Sequence, residues 1–336
     1  MSLSARLASL GSLLVALFFG SFLLGRYPVP PQDVVSLLLE SLGGSSAAVD
    51  DTRRTVVVHV RLPRILGAIL VGGALSVSGA AYQNLFKNPL VSPGILGVSA
   101  GASFGAAMGM LASLGWSGIQ AAAFALGLFA VGCAFLIGRL VGRDSLVVLV
   151  LGGMVVSALF QAFLSLIKFV ADPINTLPAI TFWLMGGLSR VSLEDIRASL
   201  LPVLLPLGAF WVLRWPLHAL STGEEEAATL GVPVKTLRFA VILGSTLLTA
   251  VSVSISGIIG WVGLLVPHMA RALVGPSFPA LLPASFLLGG AFLLLVDNLC
   301  RTLFAAEIPL GILTSLVGAP FFLVLLTRAR KEWGKC

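Results

Sequence analysis

Hydrophobic positions in this chain fall in long runs separated by short polar segments. The first run begins after a lone Arg6, is apolar from Leu7 to Gly25, and ends in Gly25-Arg26-Tyr27-Pro28 without a small-residue cleavage site. It therefore reads as a retained helix and not as a cleaved leader. Further runs cover 63–82, 94–113, 118–138, 145–169, 196–215, 238–256, 258–275, 280–298 and 308–327. A bilayer-crossing helix needs about 20 apolar residues, so the pattern predicts an all-α, polytopic membrane protein of ten transmembrane helices, one domain over residues 1–336. Two polar gaps are long enough to hold structure. In 26–62, Pro30-Pro31-Gln32-Asp33 followed by Val34 to Leu39 predicts a short capped helix on the outer side, and 216–237 is a second loop, on the inner side.

Composition narrows this picture. Of 336 residues, 57% are apolar and 10% charged, well below the ~25% charged of soluble domains. A net charge of +7 would suggest nucleic acid for a soluble protein. Here it reads as loop charge beside lipid headgroups, with no nucleic-acid partner. Counting Lys and Arg by loop places twelve inside and nine outside, with Arg328-Ala-Arg-Lys331 as the firmest anchor, so both termini are expected in the cytoplasm. The nine outer cations suggest that something acidic docks there. Cys133, Cys300 and Cys336 have no metal-ligand spacing, and His59, His218 and His268 are scattered. Ionisable groups at mid-membrane are almost absent, Lys168 and Asp297 standing near helix ends. That disfavours an ion-coupled secondary carrier, and no nucleophile–base or metal set supports a lipid-modifying enzyme.

Small residues four apart let helices approach closely in lipid. Ala68, Gly72, Ser76 and Ala80 form one such ladder, and Gly97, Gly101, Gly105 and Gly109 another. Trp183, Met185 and Phe160 are candidate pathway residues, although aromatic and Met side chains in membrane helices more often pack.

Four motifs carry the functional reading. Arg61-Leu-Pro-Arg64 opens the second helix at Pro63, and Asn88-Pro89-Leu90 with Pro93-Gly94 forces an irregular turn, a gate or a plain connection. Ser221-Thr-Gly-Glu-Glu-Glu-Ala-Ala-Thr-Leu-Gly231-Val-Pro233 predicts a short helix, started by a Ser221–Glu224 or Thr222–Glu225 capping box and stopped by Gly231. Being polar and too short to stand alone, it suits docking on a partner protein. The remaining motifs are Gly257-Ile-Ile-Gly-Trp-Val-Gly-Leu-Leu-Val-Pro-His-Met-Ala-Arg271, and Asp297-Asn-Leu-Cys-Arg301 followed by Glu307-Ile-Pro-Leu-Gly and Gly318-Ala-Pro-Phe-Phe322.

In this order, over about residues 55–327, the strings resemble the FecCD-type permeases, membrane subunits of ATP-binding-cassette (ABC) importers for iron–siderophore, haem, cobalamin and sometimes molybdate or tungstate. Trp261 stands where the family more often has Phe. The resemblance implies a type II ABC importer permease fold, a homodimer in a prokaryotic inner membrane, two separate ATPase subunits and a periplasmic or lipid-anchored substrate-binding protein. It implies ATPase coupling through Gly223, Glu224, Glu225, Glu226, Ala227, Ala228, Leu230 and Gly231. It implies binding-protein docking on Arg61, Arg64 and Arg301, and a cytoplasmic gate at Asn88, Pro89 and Leu90 with Asp144 and Ser145. No GxxxxGK[ST] phosphate loop is present, so no cofactor is expected on this chain, with ATP and Mg on the partner. The expected cargo is a metal chelate, with an oxyanion as the alternative.

Overall fold

The computed structural model describes residues 2–41, 49–141, 145–303 and 306–333, with side chains up to Leu323 in the last helix. The helices are α1 (Leu3–Leu23), α2 (Pro31–Ser41), α3 (Asp51–Arg54), α4 (Leu62–Leu85), α5 (Val98–Leu111), α6 (Trp116–Val141), α7 (Leu146–Val170), α8 (Thr176–Leu184), α9 (Leu193–Val212), α10 (Arg214–Leu220), α11 (Glu224–Thr229), α12 (Val234–Ser256), α13 (Val262–Val274), α14 (Phe278–Thr302) and α15 (Leu310–Trp333). No strand occurs among the described residues. Seven helical segments are long and apolar enough to cross a membrane, and 98–111, 262–274 and 310–323 are shorter apolar helices. Each apolar run of the sequence falls on one of these ten. The short helix expected after Pro30 is α2, and α8 and α10 are additions the run pattern did not mark.

The core is built around α4, which packs against α14, α12 and α13 and is buried over most of its length. Small residues make this possible. A methyl group on Gly72 would collide with the Gly289 carbonyl of α14, and one on Gly79 with the Gly263 carbonyl of α13. Hydroxyls bond across the α4–α12 contact, with Ser78 Oγ 2.9 Å from the Ser245 carbonyl and 2.8 Å from Thr249 Oγ1. In the second ladder Gly101, Gly105 and Gly109 meet Leu126, Ala122 and Ile119 of α6. Gly97 is not a rung of that ladder. It caps α5 at φ +91°, a left-handed conformation open to glycine, and faces α7. By contrast α6 and α7 are buried along one face only.

Pro63 stands in the first turn of α4, as the sequence predicts, but helix already precedes it. Residues 51–85 are continuously helical, α3 leading through a π-helical segment, Thr55–Arg61, into α4. The Leu62 N–H reaches back five residues to the Val57 carbonyl, so the proline's missing N–H falls where the hydrogen-bond register changes.

Candidate functional site

At one end of the bundle the three sequence-predicted arginines converge, and all three are buried. The C-terminal end of α1 explains two of them, because the last carbonyls of a helix have no partner within it. Arg61 donates to the carbonyls of Phe22 and Tyr27, and Arg301 donates to the Ser21 carbonyl at 3.0 Å and to Asn298 Oδ1. Asn298 Nδ2 in turn donates to Ser21 Oγ at 2.7 Å. Arg64 is held by charge: its Nε lies 3.0 Å from Asp297 Oδ1 and its terminal nitrogen 2.9 Å from Glu307 Oε2, while Arg301 Nε stands 3.5 Å from Asp297 Oδ2. The Asp297 side chain is 0% exposed and that of Glu307 41%. Burying a lone charge is prohibitive, and these pairs are what allow the arginines inside. The surface arginines expected from the sequence are thus internal groups tying α1, α4, α14 and the α14–α15 link together. The sequence reading missed Asp297 and Glu307 as their partners, although Asp297 and Arg301 four apart in an apolar helix carried the signal.

Arg64 and Glu307 border a cavity of about 260 Å³, walled also by Trp183 and Gly186 at the end of α8, Gly257, and Pro309 before α15. Its wall is irregular backbone stitched together: the Gly187 N–H donates to the Ser256 carbonyl at 2.8 Å, and the Leu310 and Gly311 N–H groups donate to the Gly186 and Met185 carbonyls at 3.0 Å each. Gly257 needs its positive φ of +66° here, and a side chain would strike the Trp183 carbonyl. Trp261 also has a positive φ, +70°, with its indole against Gly318 and 6.0 Å from the Phe322 ring. Trp183 therefore lines a cavity, whereas Phe160 packs against Phe104 at 5.6 Å. Elsewhere on this side Arg53 pairs with Asp33 at 2.6 Å and Arg54 with Glu40 at 3.0 Å, fastening α2 to α3. Arg190 lies over the Trp116 ring at 5.4 Å.

At the opposite end, α11 is the short helix predicted between Gly223 and Gly231. Gly231, at φ +78°, ends it: the Gly231 N–H donates to the Ala228 carbonyl at 3.0 Å and the Val232 N–H to the Ala227 carbonyl at 3.1 Å. Neither predicted capping box forms. Ser221 and Thr222 hydroxyls instead donate back to the His218 and Ala219 carbonyls at 2.6 and 2.8 Å, closing α10, and Gly223 takes the cap position without a side-chain bond. Gly223 and Ala227 are buried, while Glu225, Glu226, Ala228, Leu230 and Gly231 are exposed. Glu224 is drawn inward by Arg238, whose terminal nitrogen lies 2.6 and 2.7 Å from its carboxylate oxygens.

The Asn88-Pro89-Leu90 turn is exposed and begins at Lys87, φ +48°. Asn88 Oδ1 accepts from the Leu90 N–H at 2.9 Å, and Gln83 Nε2, donating to the Val91 and Leu264 carbonyls at 3.3 and 3.2 Å, ties the turn to α13. Ser145 lies elsewhere, on a basic cavity between α6, α7 and α12. Asp144, Cys336 and the side chains of Arg328, Arg330 and Lys331 lie outside the described residues. Among the described residues no group of His, Cys, Asp and Glu could hold a metal ion.

The FecCD transport family model matches residues 13–328. The chain belongs to the FecCD transport family. It is an ABC permease and a multi-pass membrane protein. This FecCD permease is 39% identical over 308 residues to the molybdate import system permease protein MolB of Haemophilus influenzae, covering 92% of this chain and 91% of that one. It is also 39% identical to the cobalamin import system permease protein BtuC of Halobacterium salinarum, over 83% of this chain and 75% of the relative. A solved structure described as an inward-facing conformation of a metal-chelate type ABC transporter superposes with a TM-score of 0.86 at 39% identity, covering 96% of this chain and 98% of that chain.

Proposed function

We propose that this permease forms a homodimer of ten-span subunits in a prokaryotic inner membrane and imports a metal chelate of the iron–siderophore, haem or cobalamin class by alternating access. Two separate ATPase subunits, holding ATP and Mg, would drive it from the cytoplasmic side, where both termini lie, and a substrate-binding protein would deliver cargo from the outer side. The observation that carries the reading is α11: a six-residue helix anchored by Ala227 and by the Glu224–Arg238 pair, with a polar face left outward. A helix this short has no stability of its own, so its fixed exposed face is suited to transmitting motion from a partner.

Exposed apolar residues along α7, among them Val155, Leu159, Leu166 and Phe169, supply a face for the second subunit. Docking of the binding protein would engage Arg64, which borders the outer cavity, through an incoming carboxylate that takes the place of Glu307, while Arg61 and Arg301 hold the framework behind it. Asn88, Pro89 and Leu90, with Asp144 and Ser145, would close the inner side. Oxyanion import is the second reading, favoured by the likeness to the molybdate permease.

The test is reconstitution in liposomes with the neighbouring ATPase and binding protein, offering radiolabelled ferric siderophore, haem, cobalamin and molybdate in parallel. ATP-dependent uptake of a chelate supports the reading, and uptake of molybdate alone replaces it with the second. Transport by the permease alone under an ion gradient would sink both. Lengthening the 88–90 turn should raise passive leak, and an unaltered leak would make that turn merely structural.

A further inference from the structure

Two consecutive amide side chains in the last turn of α4 hold different partners, one beside α11 and one at the 88–90 turn. Neighbouring residues on a helix point about 100° apart, so a single turn can face two elements. Asn84 faces α10: its Nδ2 donates to the Leu217 carbonyl at 2.6 Å. That carbonyl lies in the final turn of α10 and is left over by its own helix, because the Ser221 N–H bonds to the His218 carbonyl at 3.0 Å instead. Leu217 is fully buried, and only Ser221, Thr222 and Gly223 separate α10 from α11. Gln83 is buried and faces the other way. Its Nε2 donates to the Val91 carbonyl, just past the turn, and to the Leu264 carbonyl of α13, while its Oε1 accepts from Arg271, farther along α13. The backbone adds a further tie, the Asn88 N–H donating to the Gln83 carbonyl at 3.2 Å.

Resting on the reading of α11 as the ATPase contact and of residues 88–90 as the inner gate, we infer that Asn84 and Gln83 are positioning residues of the transport cycle. Asn84 passes displacement of the α10–α11 segment to the end of α4, and Gln83 carries the gate turn and α13 along with it. Because both side chains stand on one helical turn, they move together, and no flexible joint lies between the two contacts. A competing route leaves α11 through Glu224 and Arg238 into α12, and meets α4 at the hydroxyls of Ser78 and Tyr82. The two routes differ in their dependence on one donor, Asn84 Nδ2.

The test is the amount of cargo imported per ATP hydrolysed by the full-length permease, reconstituted in liposomes with its ATPase and binding protein. The cargo is whichever of radiolabelled ferric siderophore, haem, cobalamin and molybdate the wild type imports. Asn84→Leu removes the donor at nearly constant volume. It should leave thermal unfolding and ATP hydrolysis at wild-type values and lower the import ratio about tenfold, the size of an ordinary coupling between sites. Asn84→Gln, which keeps a terminal amide, should recover most of the ratio. If Asn84→Leu does not fold, Asn84→Asp, which exchanges only the amide nitrogen for oxygen, should show the same loss. Gln83→Glu keeps an acceptor for Arg271 but gives up the donor to the Val91 and Leu264 carbonyls, and should raise passive leak. An unchanged ratio in a folded Asn84 variant overturns the inference and assigns the motion to the α12 route. A parallel fall in unfolding temperature, hydrolysis and import would make Asn84 a packing residue and overturn it as well. Absence of ATP-driven import by the wild type overturns the transport reading and this inference with it, so the wild-type control tells the two failures apart.

Discussion

Two clusters of charge sit at opposite ends of this bundle and are built on opposite principles. At the end where α4 begins, Arg64, Asp297 and Arg301 are buried, drawn from helices more than 200 residues apart, and close on each other and on the end of α1. At the α11 end Glu224 and Arg238 are 14 residues apart, and the Glu224 side chain is 41% exposed. The first arrangement holds the fold together; the second fixes the direction of one short helix. Charge in a membrane protein is therefore not read from its amount alone, since one carboxylate supports the core and the other fixes a short helix at the surface.

The comparison breaks most sharply at Asp297. Asp297→Ala leaves Arg64 and Arg301 with a buried uncompensated charge and should cost about 3–5 kcal/mol in thermal unfolding of the detergent-solubilised protein. A loss under about 1 kcal/mol would mean that water reaches the cluster. Next, Arg61→Leu removes the donor to the Phe22 and Tyr27 carbonyls and should cost about 1–3 kcal/mol, with faster hydrogen exchange at the end of α1. Glu307→Gln should cost less than about 1 kcal/mol, since its carboxylate is partly solvated. Smallest in stability is Glu224→Gln, again under about 1 kcal/mol. Yet it should reduce cargo-stimulated ATP hydrolysis in the reconstituted complex, a loss that the stability assay would not forecast, and deletion of 223–231 should abolish coupling while leaving subunit association intact. Raising salt to 1 M sharpens the contrast: the coupling between Glu224 and Arg238 in a double-mutant cycle should fall, while that between Arg64 and Asp297 should hold.

The sequence pattern revealed most of the architecture because lipid imposes length and composition on every span. The Gly101–Gly109 ladder and the Gly231 stop were readable for the same reason: each depends on residues within a few positions. What stayed hidden was set by distant partners. Nothing local tells Arg61 that the end of α1 needs donors, so a buried cap looked like a surface cation. Ser221 and Thr222 could satisfy either the helix before them or the one after, and the sequence pattern favoured the wrong one. The helix α8 was invisible because the wall it builds against Gly257 is made by backbone groups of three separate segments.

The Gly79 contact has a mechanical consequence. Where α4 and α13 meet, backbone lies on backbone, so no side chain stands between them to change rotamer and let one slide past the other. With Gly72 pressed against Gly289 in the same way, α4, α13 and α14 behave as one rigid lever. Any rocking of the subunit must then pivot where backbone is free of such contact, and Gly260, with open space around it between α12 and α13, is the nearest joint in the chain.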